Sequence, residues 1–564
     1  MKTKITKKPF LKIIIYLYLI LASAVSFAET KPVIVSVKQM PEESWLVEYQ
    51  LPKSVNQVSF YREGDFSRTD WKLFNNNLIL DNDNPTRSSI KSVDGTLFKS
   101  FKLQFNSNFE HLKNDYELNL AFSDGGLALY TGHLVLSIKD ETVEHYFKFM
   151  PRKGNHSIIK GNVSSVEQSW LDTNLQGSYV YFGQTQPLNT EHMVAVLDQQ
   201  LPEWIQQEMM VALPKIYAYY TEQFKLALNE KPMILFSYKT TEESGTQYSG
   251  GALPGVIQLT LKGKDWHKKS KENMAGFLLF IAHEAAHLWN AQMVQLSGMT
   301  SESWIHEGNA EAVSLKALLY LGIYNESDVL AANENHLNKC IDDLKTHAVS
   351  QYDKHKNFWA YYSCGAIVGI LTEKAIQTKN INTDLFDFWA ELIKRVNSNN
   401  LQITPEQYLK SLLQLSNDNK TLANIITLIE EPQDRPIEFF SEIFQSAGMP
   451  LKADYKHPKK AQQAIQTTIK HLLMMDCQTY SYENHIDYYT VGKMKTCQFL
   501  KPGMKISEIA GLPVKNKGFE IYNKVQESCQ NNDLIQIKTL LKSELGIPCN
   551  KKMPVLTPWL TFEI

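Results

Sequence analysis

The chain has 564 residues, of which 43% are hydrophobic and 11% aromatic, and its formal net charge is -2. This length allows about three or four domains, and the composition is ordinary for packed globular cores. A net charge near zero gives no electrostatic reason to expect nucleic acid as a partner.

The N-terminus has the order of a secretory signal. Five lysines precede an apolar run over Ile13–Val25, and the small residues of Ser26–Ala28 follow. This order predicts cleavage after Ala28, so that residues 1–28 are removed. The alternative is an uncleaved membrane anchor, because the run approaches a spanning length when Phe10 and Leu11 are included. We expect cleavage, and therefore a soluble protein that is periplasmic or secreted and carries a formal charge of -7 (-2 less five lysines).

Six cysteines are an even number for an exported chain, in which disulfide bonds persist. Sequence alone does not fix their pairing, and some of them could be buried thiols. Pairing between neighbours is the simplest expectation, namely Cys340 with Cys364, Cys477 with Cys497, and Cys529 with Cys549.

Residues 29–186 have the pattern of an N-terminal antiparallel β domain. Short strand-like runs alternate with polar turns that contain Asn, Asp and Gly. The clearest runs are Val33–Val37, Trp45–Tyr49, Leu127–Tyr130 and Tyr179–Phe182. We expect a sandwich or a saddle-shaped sheet that serves as a scaffold or lines the substrate.

A second domain is expected over residues 187–450. Helical spacing runs from Leu188 to Leu228, and strands are predicted at Met233–Tyr238 and Val256–Leu261, joined by a loop that includes Tyr248–Gly255. Beyond Ser301 the pattern is helical to about residue 447. We expect a linker at 451–460 and a separate small domain at 461–564.

Two histidines and a glutamate lie close together in an apolar segment with helical periodicity. His283 and His287 are four residues apart, so both imidazoles point from one helix face, and Glu284 lies beside them. Ser270 or Asn273 can cap this helix. Zinc hydrolysis requires imidazole ligands, a third protein ligand and a carboxylate that takes a proton from water, so the pattern predicts a zinc hydrolase.

Three motifs in this order look most like the glycyl aminopeptidase family of gluzincin peptidases, which is related to aminopeptidase N. They are His283–Asn290 (HEAAHLWN), Trp304–Gly308 (WIHEG) and Tyr362–Ala366 (YSCGA). The resemblance is strong from about Pro187 to about Gln377. It implies an α+β multidomain protein in which a thermolysin-like, mostly helical catalytic domain follows the N-terminal β domain.

The resemblance also implies roles for individual residues. Glu307 matches the third zinc ligand, and His306 is the alternative because the family spacing falls one residue earlier. Glu311, one helical turn further, is a candidate to accept a hydrogen bond from a ligand histidine, or is a solvated charge on the helix face. Tyr362 matches the tyrosine that donates to the oxyanion, or is core packing, and Cys364 replaces a residue that is often basic.

Two features bear on the substrate. Gly250 and Gly251 match the Gly-rich strand edge that binds substrate in related aminopeptidases, but no glutamate lies among residues 250–255 to hold a free amine. Glu242 or Glu243 could reach the site from the preceding loop. The segment Leu500–Val514 resembles part of a PDZ domain, with Met504 in place of the usual Asp; the alternative is an unrelated small domain held by disulfides.

The function that we predict from the sequence is an exported zinc peptidase with one Zn²⁺ per chain and peptide or protein substrates. Two alternatives remain: a catalytically inactive peptide-binding protein on the same fold, and a zinc hydrolase of a non-peptide substrate. We expect no nucleic acid and, after signal cleavage, no membrane association. The sequence leaves the substrate, the mode of cleavage and the oligomeric state undetermined.

Overall fold

The structure, a computed structural model, describes residues 31–62, 66–84, 87–110, 112, 115–228, 230–241, 245–290, 302–344, 347–351, 359–399, 403–455, 457–485, 487–494 and 496–563. The chain divides into two compact units, Met1–Gln186 and Pro187–Ile564. The predicted signal segment lies outside the described residues. None of the described helices combines the length and the apolar character needed to cross a bilayer.

The first unit consists of β strands and a short 3-10 helix at Thr131–Leu134. Its strands are β1 (Val33–Met40), β2 (Ser44–Val55), β3 (Gln57–Phe60), β4 (Lys72–Leu73), β5 (Leu78–Asp81), β6 (Ser89–Ser92), β7 (Phe98–Asn106), β8 (Asn119–Ala121), β9 (Leu127–Tyr130), β10 (Leu136–Ile138), β11 (Glu141–Thr142), β12 (His145–Met150), β13 (His156–Ile159), β14 (Asn162–Ser164), β15 (Gln168–Asp172) and β16 (Tyr179–Gly183). All four of the clearest predicted runs are strands.

These strands form three sheets in the described part of the unit, with the orders β15-β12-β1-β2-β7-β4, β11-β10-β3-β6-β5 and β14-β13-β16-β9-β8. Strand β1 alternates between buried apolar and more exposed positions, which is why it forms a strand with one face in the core. It pairs in parallel with β12, whereas the other described pairs of this unit are antiparallel. The prediction of N-terminal antiparallel sheets is confirmed apart from this pair.

The second unit begins with a five-stranded sheet. Its strands are β17 (Leu188–Asn189), β18 (Val194–Leu197), β19 (Met233–Lys239), β20 (Gln247–Leu253) and β21 (Val256–Lys262), in the order β17-β18-β19-β21-β20. Two predictions are wrong here. Residues 188–189 and 194–197 form strands rather than the start of a helix, and most of the predicted Tyr248–Gly255 loop is edge strand β20, antiparallel to β21.

Nine helices lie between β18 and residue 447 in the described part of the chain, interleaved with the sheet at first. They are α1 (Glu203–Phe224), α2 (Lys271–Asn290), α3 (Ser303–Tyr320), α4 (Glu326–Leu344), α5 (Trp359–Gln377), α6 (Leu385–Ser398), α7 (Pro405–Leu415), α8 (Asn419–Glu430) and α9 (Pro436–Ser446), with short 3-10 turns at Lys264–His267 and Val349–Gln351. They pack with the sheet around one large apolar core. A mixed fold in which β sheets precede a mostly helical region is therefore confirmed.

The C-terminal part belongs to the second unit. It contains β22 (Leu451–Asp454), α10 (Lys459–Cys477), β23 (Tyr482–Asn484), β24 (Tyr489–Val491), β25 (Lys505–Ile509), β26 (Leu512–Pro513), α11 (Gly518–Asn531), β27 (Leu534–Thr539), β28 (Glu544–Pro548) and β29 (Trp559–Phe562). The stretch expected to be a linker, 451–460, contains β22, which pairs with β29, and the start of α10. The PDZ likeness remains a prediction.

Three disulfide bonds connect the cysteines: Cys340–Cys364, Cys477–Cys497 and Cys529–Cys549. The predicted neighbour pairing is confirmed. The first bond joins α4 to α5 inside the helical core, and the other two lie in the C-terminal part. Such bonds persist in oxidising compartments, which fits an extracellular or periplasmic protein.

Candidate metal centre

Helix α2 carries the two histidines and is held firmly in the core. Ser270 begins it, because its Oγ accepts the backbone N–H of Asn273 at 3.0 Å. The Trp289 indole donates to the carbonyl of Leu226 at 2.9 Å, and the Tyr220 hydroxyl donates to the carbonyl of Ala282 at 2.9 Å. These bonds fix the rotation of α2 about its axis, and therefore the direction in which its side chains point.

The imidazoles of His283 and His287 meet on one face of α2. Their Nε2 atoms are 3.1 Å apart. Glu307, on α3, brings its Oε2 to 3.1 Å from Nε2 of His283 and 3.3 Å from Nε2 of His287. The structure therefore places three ligand-type atoms in a small triangle, with the glutamate contributed by a different helix.

The competing residue, His306, lies outside this triangle. Among the described residues, the group of ligand atoms around His283 and His287 contains Glu307 and not His306. The His306 ring is buried, and burial lowers its pKa to about 3, so it is neutral. Its backbone carbonyl accepts the amide of Asn290 at 3.1 Å.

The triangle has the dimensions of a zinc site. Tetrahedral zinc has ligand bonds of about 2.0–2.1 Å, which puts neighbouring ligand atoms roughly 3.3–3.4 Å apart. Burial alone would raise the pKa of Glu307, but the neighbouring imidazoles of His287 and His283 have the larger, opposite effect. The pKa of Glu307 therefore lies well below its usual range. Two imidazole nitrogens and an ionised carboxylate oxygen form a donor set that zinc prefers, so these residues fit the metal.

Outer contacts orient both imidazoles. Asn290 Oδ1 accepts the Nδ1–H of His287 at 3.2 Å, and the bond from the Asn290 amide to His306 fixes which way this side chain faces. The Nε2 lone pair of His287 consequently points into the triangle. On the other side, Nδ1 of His283 lies 3.4 Å from Oε1 of Glu311.

Glu311 lies between two histidines. Its Oε2 is 3.4 Å from Nε2 of His336, on α4, and its side chain is 18% exposed. Burial raises its pKa, but His283 and His336 lower it more, so the carboxylate is ionised.

Sequence reasoning missed both Asn290 and His336. The i, i+3 spacing from His287 could have indicated Asn290, whereas His336 comes from another helix and has no local signal.

Glu284 is buried beside the ligand histidines, with 7% of its surface exposed. Burial raises its pKa above the ordinary value, although His283 and His287 act in the opposite direction. A carboxylate in such a place is suited to exchange a proton with a reacting group at moderate pH.

Tyr362 reaches the same place from α5. Its ring stacks on the imidazole of His283, with centroids 5.5 Å apart and planes 19° from parallel. Burial raises the pKa of its hydroxyl, and Glu307 raises it further through charge and a hydrogen bond. The phenol therefore stays protonated and can donate a hydrogen bond.

A glycine contact explains why Glu307 and Tyr362 come together. A Cβ atom on Gly308 would overlap the backbone of Gly365, and one on Gly365 would overlap the carbonyl oxygen of Trp304. Helices α3 and α5 therefore cross with their backbones in contact, which only glycine at both positions allows. Gly308 of the second motif and Gly365 of the third therefore allow α3 and α5 to bring Glu307 and Tyr362 close together.

Gly250 and Gly251 lie in edge strand β20, opposite Leu259 and Gln258 of β21. Both are at least partly exposed. Strand β20 also contacts α2, because the rings of Tyr248 and Phe280 lie 4.7 Å apart. The predicted amine-anchor candidates Glu242 and Glu243 lie outside the described residues.

At the level of the fold, the resemblance that the sequence indicated is confirmed by a solved structure. The chain is similar to a solved aminopeptidase N family protein from Idiomarina loihiensis, with a TM-score of 0.63 and 12% identity over 94% of this chain and 98% of that one. Native yeast LTA4 hydrolase matches with a TM-score of 0.43 and 12% identity, over 78% and 72% of the two chains. No family model and no curated protein matches the sequence.

Proposed function

We propose that the chain is an exported zinc-dependent peptidase. The observation that carries this proposal is the triangle of His283, His287 and Glu307, with Glu284 and Tyr362 beside it. The fold shared with an aminopeptidase N family protein supports it. The three disulfides and the signal-like N-terminus support export.

His283, His287 and Glu307 hold one zinc ion in this proposal. When bound, zinc polarises the scissile carbonyl and lowers the pKa of a water molecule. Glu284 accepts the proton of the attacking water and then donates it to the leaving amine. Its raised pKa suits this role, because a group that both accepts and donates works best when its pKa lies near the operating pH.

Tyr362 donates its O–H to the oxygen of the carbonyl as negative charge develops there. A donor aimed at charge that appears only in the transition state lowers the barrier, commonly by a factor of about 10²–10³. Stacking on His283 and the crossing of α3 and α5 at Gly308 and Gly365 hold the phenol in place before substrate arrives. It therefore needs little rearrangement during the reaction.

Edge strand β20 provides the surface for the substrate backbone. Gly250 and Gly251 have no side chains to block an extended peptide that lies beside the strand. Because residues 250–255 contain no glutamate, a free amine gains no ionic partner from this segment. A hydrogen bond to a charged group contributes about 1.5–3 kcal/mol, so we expect a weaker preference for free amino ends than an anchored aminopeptidase has.

The test is mass-spectrometric profiling of peptide mixtures digested by the zinc-loaded mature chain. The Glu284→Gln variant should lose cleavage, whereas Glu272→Gln, an exposed change in the first turn of the same helix, should cleave like the wild type. Cut positions distinguish removal of terminal residues from internal cleavage. Equal cleavage by wild type and Glu284→Gln, or none by either, would refute the proposal.

A further inference from the structure

Three short segments of the C-terminal part meet at one end of the sheet β23-β24-β25-β27-β28. The N–H of Val491, at the end of β24, donates to the carbonyl of Met504, just before β25, at 2.8 Å. The N–H of Leu540, just after β27, donates to the carbonyl of Lys505 at 2.9 Å. These bonds join the segments into one surface, which we call the sheet tip. It consists of residues 491–494, 501–505 and 539–544.

The turn between β27 and β28 carries two exposed leucines. Leu540 is 46% exposed, and Leu541, at 93%, is the most exposed large apolar side chain in the described part of the chain. The N–H of Lys542 donates to the carbonyl of Thr539 at 2.8 Å, and the N–H of Thr539 donates to the carbonyl of Ser543 at 3.0 Å. The hydroxyls of Thr539 and Ser543 lie 2.6 Å apart. A closed, hydrogen-bonded turn therefore presents the leucines to solvent, where turns usually have polar residues.

The sheet tip is positively charged. It carries one acid, Glu544, and four lysines, which are exposed and form no ion pair with another described residue. The next acid along β25, Glu508, is already paired with Lys538 at 3.3 Å. The formal charge of the sheet tip is therefore +3, which is four lysines less one glutamate. The four lysines are Lys493, Lys501, Lys505 and Lys542.

The fold itself does not require these residues at the turn. Lys542 has a left-handed backbone, with a φ of 62°, at a kind of position where turns usually have glycine or asparagine. Leu541 is too exposed to contribute much to the packing of a core. Residues that work against local stability are typical of functional surfaces, so the sheet tip is a candidate for binding.

An apolar turn within a basic surface limits the kind of partner. A soluble polyanion would pair with the lysines but would leave the leucines in water. An uncharged apolar surface would cover the leucines but would leave the lysines without counter-charges. A bilayer with anionic lipids offers both, because its negative headgroups lie directly above an apolar interior. Exposed apolar patches with a polar rim are typical of such contacts.

We propose that the sheet tip binds the surface of a bilayer that contains anionic lipids. Leu540 and Leu541 enter the boundary between headgroups and acyl chains, and the lysines lie against the phosphates. The sequence-based expectation of no membrane association considered spanning segments, which a surface contact of this kind does not need. The proposal rests on the sheet tip and does not depend on the proposed peptidase activity.

The first test is flotation of the full mature chain, at low ionic strength, with phosphatidylcholine vesicles that contain phosphatidylglycerol. The chain should float with these vesicles and not with vesicles of phosphatidylcholine alone. Leu540→Ser with Leu541→Ser should weaken binding at least about tenfold, because the apolar area that enters the bilayer is lost. Lys501→Gln with Lys505→Gln should weaken it roughly 20-fold, at about fivefold for each lysine near the surface.

Matched controls carry the same chemical changes outside the sheet tip. Val555→Ser alters an apolar side chain that is 79% exposed, and Lys394→Gln with Lys410→Gln removes two exposed lysines of the helical region. Both controls should float like the wild type. No flotation with the anionic vesicles, equal flotation with phosphatidylcholine alone, or equal flotation of the wild type and the double serine variant would overturn the proposal.

A fluorescent label measures whether the turn enters the bilayer. All six cysteines of the chain are in disulfide bonds, so Leu541→Cys supplies one reactive thiol for an environment-sensitive nitrobenzoxadiazole dye. The dye emission should shift to the blue when the anionic vesicles are added, whereas the same dye on Val555→Cys should keep its emission. No shift at either position, or an equal shift at both, would contradict insertion of the turn.

Discussion

Replacement of Glu311 by glutamine tests whether the contacts around the zinc ligands support metal binding. The Glu311 carboxylate lies 3.4 Å from Nδ1 of His283 and 3.4 Å from Nε2 of His336. The amide keeps the volume and removes the negative charge that holds the Nδ1 hydrogen of His283. Loss of such a partner typically weakens metal affinity 10–100-fold, which corresponds to about 1.4–2.7 kcal/mol.

The assay is competition for zinc between the metal-free protein and a chromophoric chelator of known affinity. Glu326→Gln, an exposed change at the first residue of α4, is the matched control and should bind zinc like the wild type. His336→Gln should lose less affinity than Glu311→Gln, because it contacts Glu311 rather than a ligand. The reasoning fails if Glu311→Gln and Glu326→Gln bind zinc equally tightly while both remain folded.

Three further changes probe other parts of the molecule. Tyr362→Phe should lower kcat about 10²–10³-fold with a small change in KM, and unchanged steady-state kinetics would remove its assigned role. The double variant Cys340→Ala with Cys364→Ala should lose about 3.5 kcal/mol of unfolding free energy in urea, since the bond closes a loop with a sequence separation of 24; a loss below about 1 kcal/mol would contradict this. Burial lowers the pKa of His145 to about 4 in the folded protein. As pH falls below about 6.5, His145 therefore becomes protonated in the unfolded chain while it is still neutral in the folded protein. His145 should therefore account for about 2 kcal/mol of the stability that the first unit loses between pH 7 and pH 5, in addition to a loss from His133, whose pKa burial lowers to about 3; His145→Gln with the same pH dependence as the wild type would argue against this cause.

Much of the fold could be predicted because local patterns coincide with the final elements. The apolar alternation in β1 and the periodicity of α2 each reflect one buried face. The error at residues 188–197 has a physical reason, since Val194–Leu197 is a short apolar run buried between β17, which is antiparallel to it, and β19, which is parallel to it. Periodicity does not distinguish such a run from part of a buried helix.

The predicted loop at Tyr248–Gly255 failed for a different reason. Glycines usually mark turns, but Gly250 and Gly251 lie in an edge strand with only one strand beside them. A Cβ atom on Gly250 would overlap the carbonyl oxygen of Gln258. Here glycine allows close contact between strands, which the sequence pattern alone does not distinguish from a turn.

The candidate site divides into a local part and a tertiary part. His283, Glu284 and His287 lie on one helix, so their spacing was sufficient to predict their arrangement. Glu307 and Tyr362 lie on two other helices, and only the family resemblance brought them into the sequence-based prediction. The contact between α3 and α5 that positions them depends on two glycines whose purpose becomes visible in three dimensions.

Zinc add-back to the chelator-treated mature chain tests the central claim most directly. Peptide cleavage should vanish when the metal is removed and should rise in proportion to added zinc until one ion per chain is bound. The His287→Ala variant should show no recovery over the same range. Cleavage that survives complete removal of zinc, or full recovery in His287→Ala, would contradict the assignment of His283, His287 and Glu307 as the metal-binding residues.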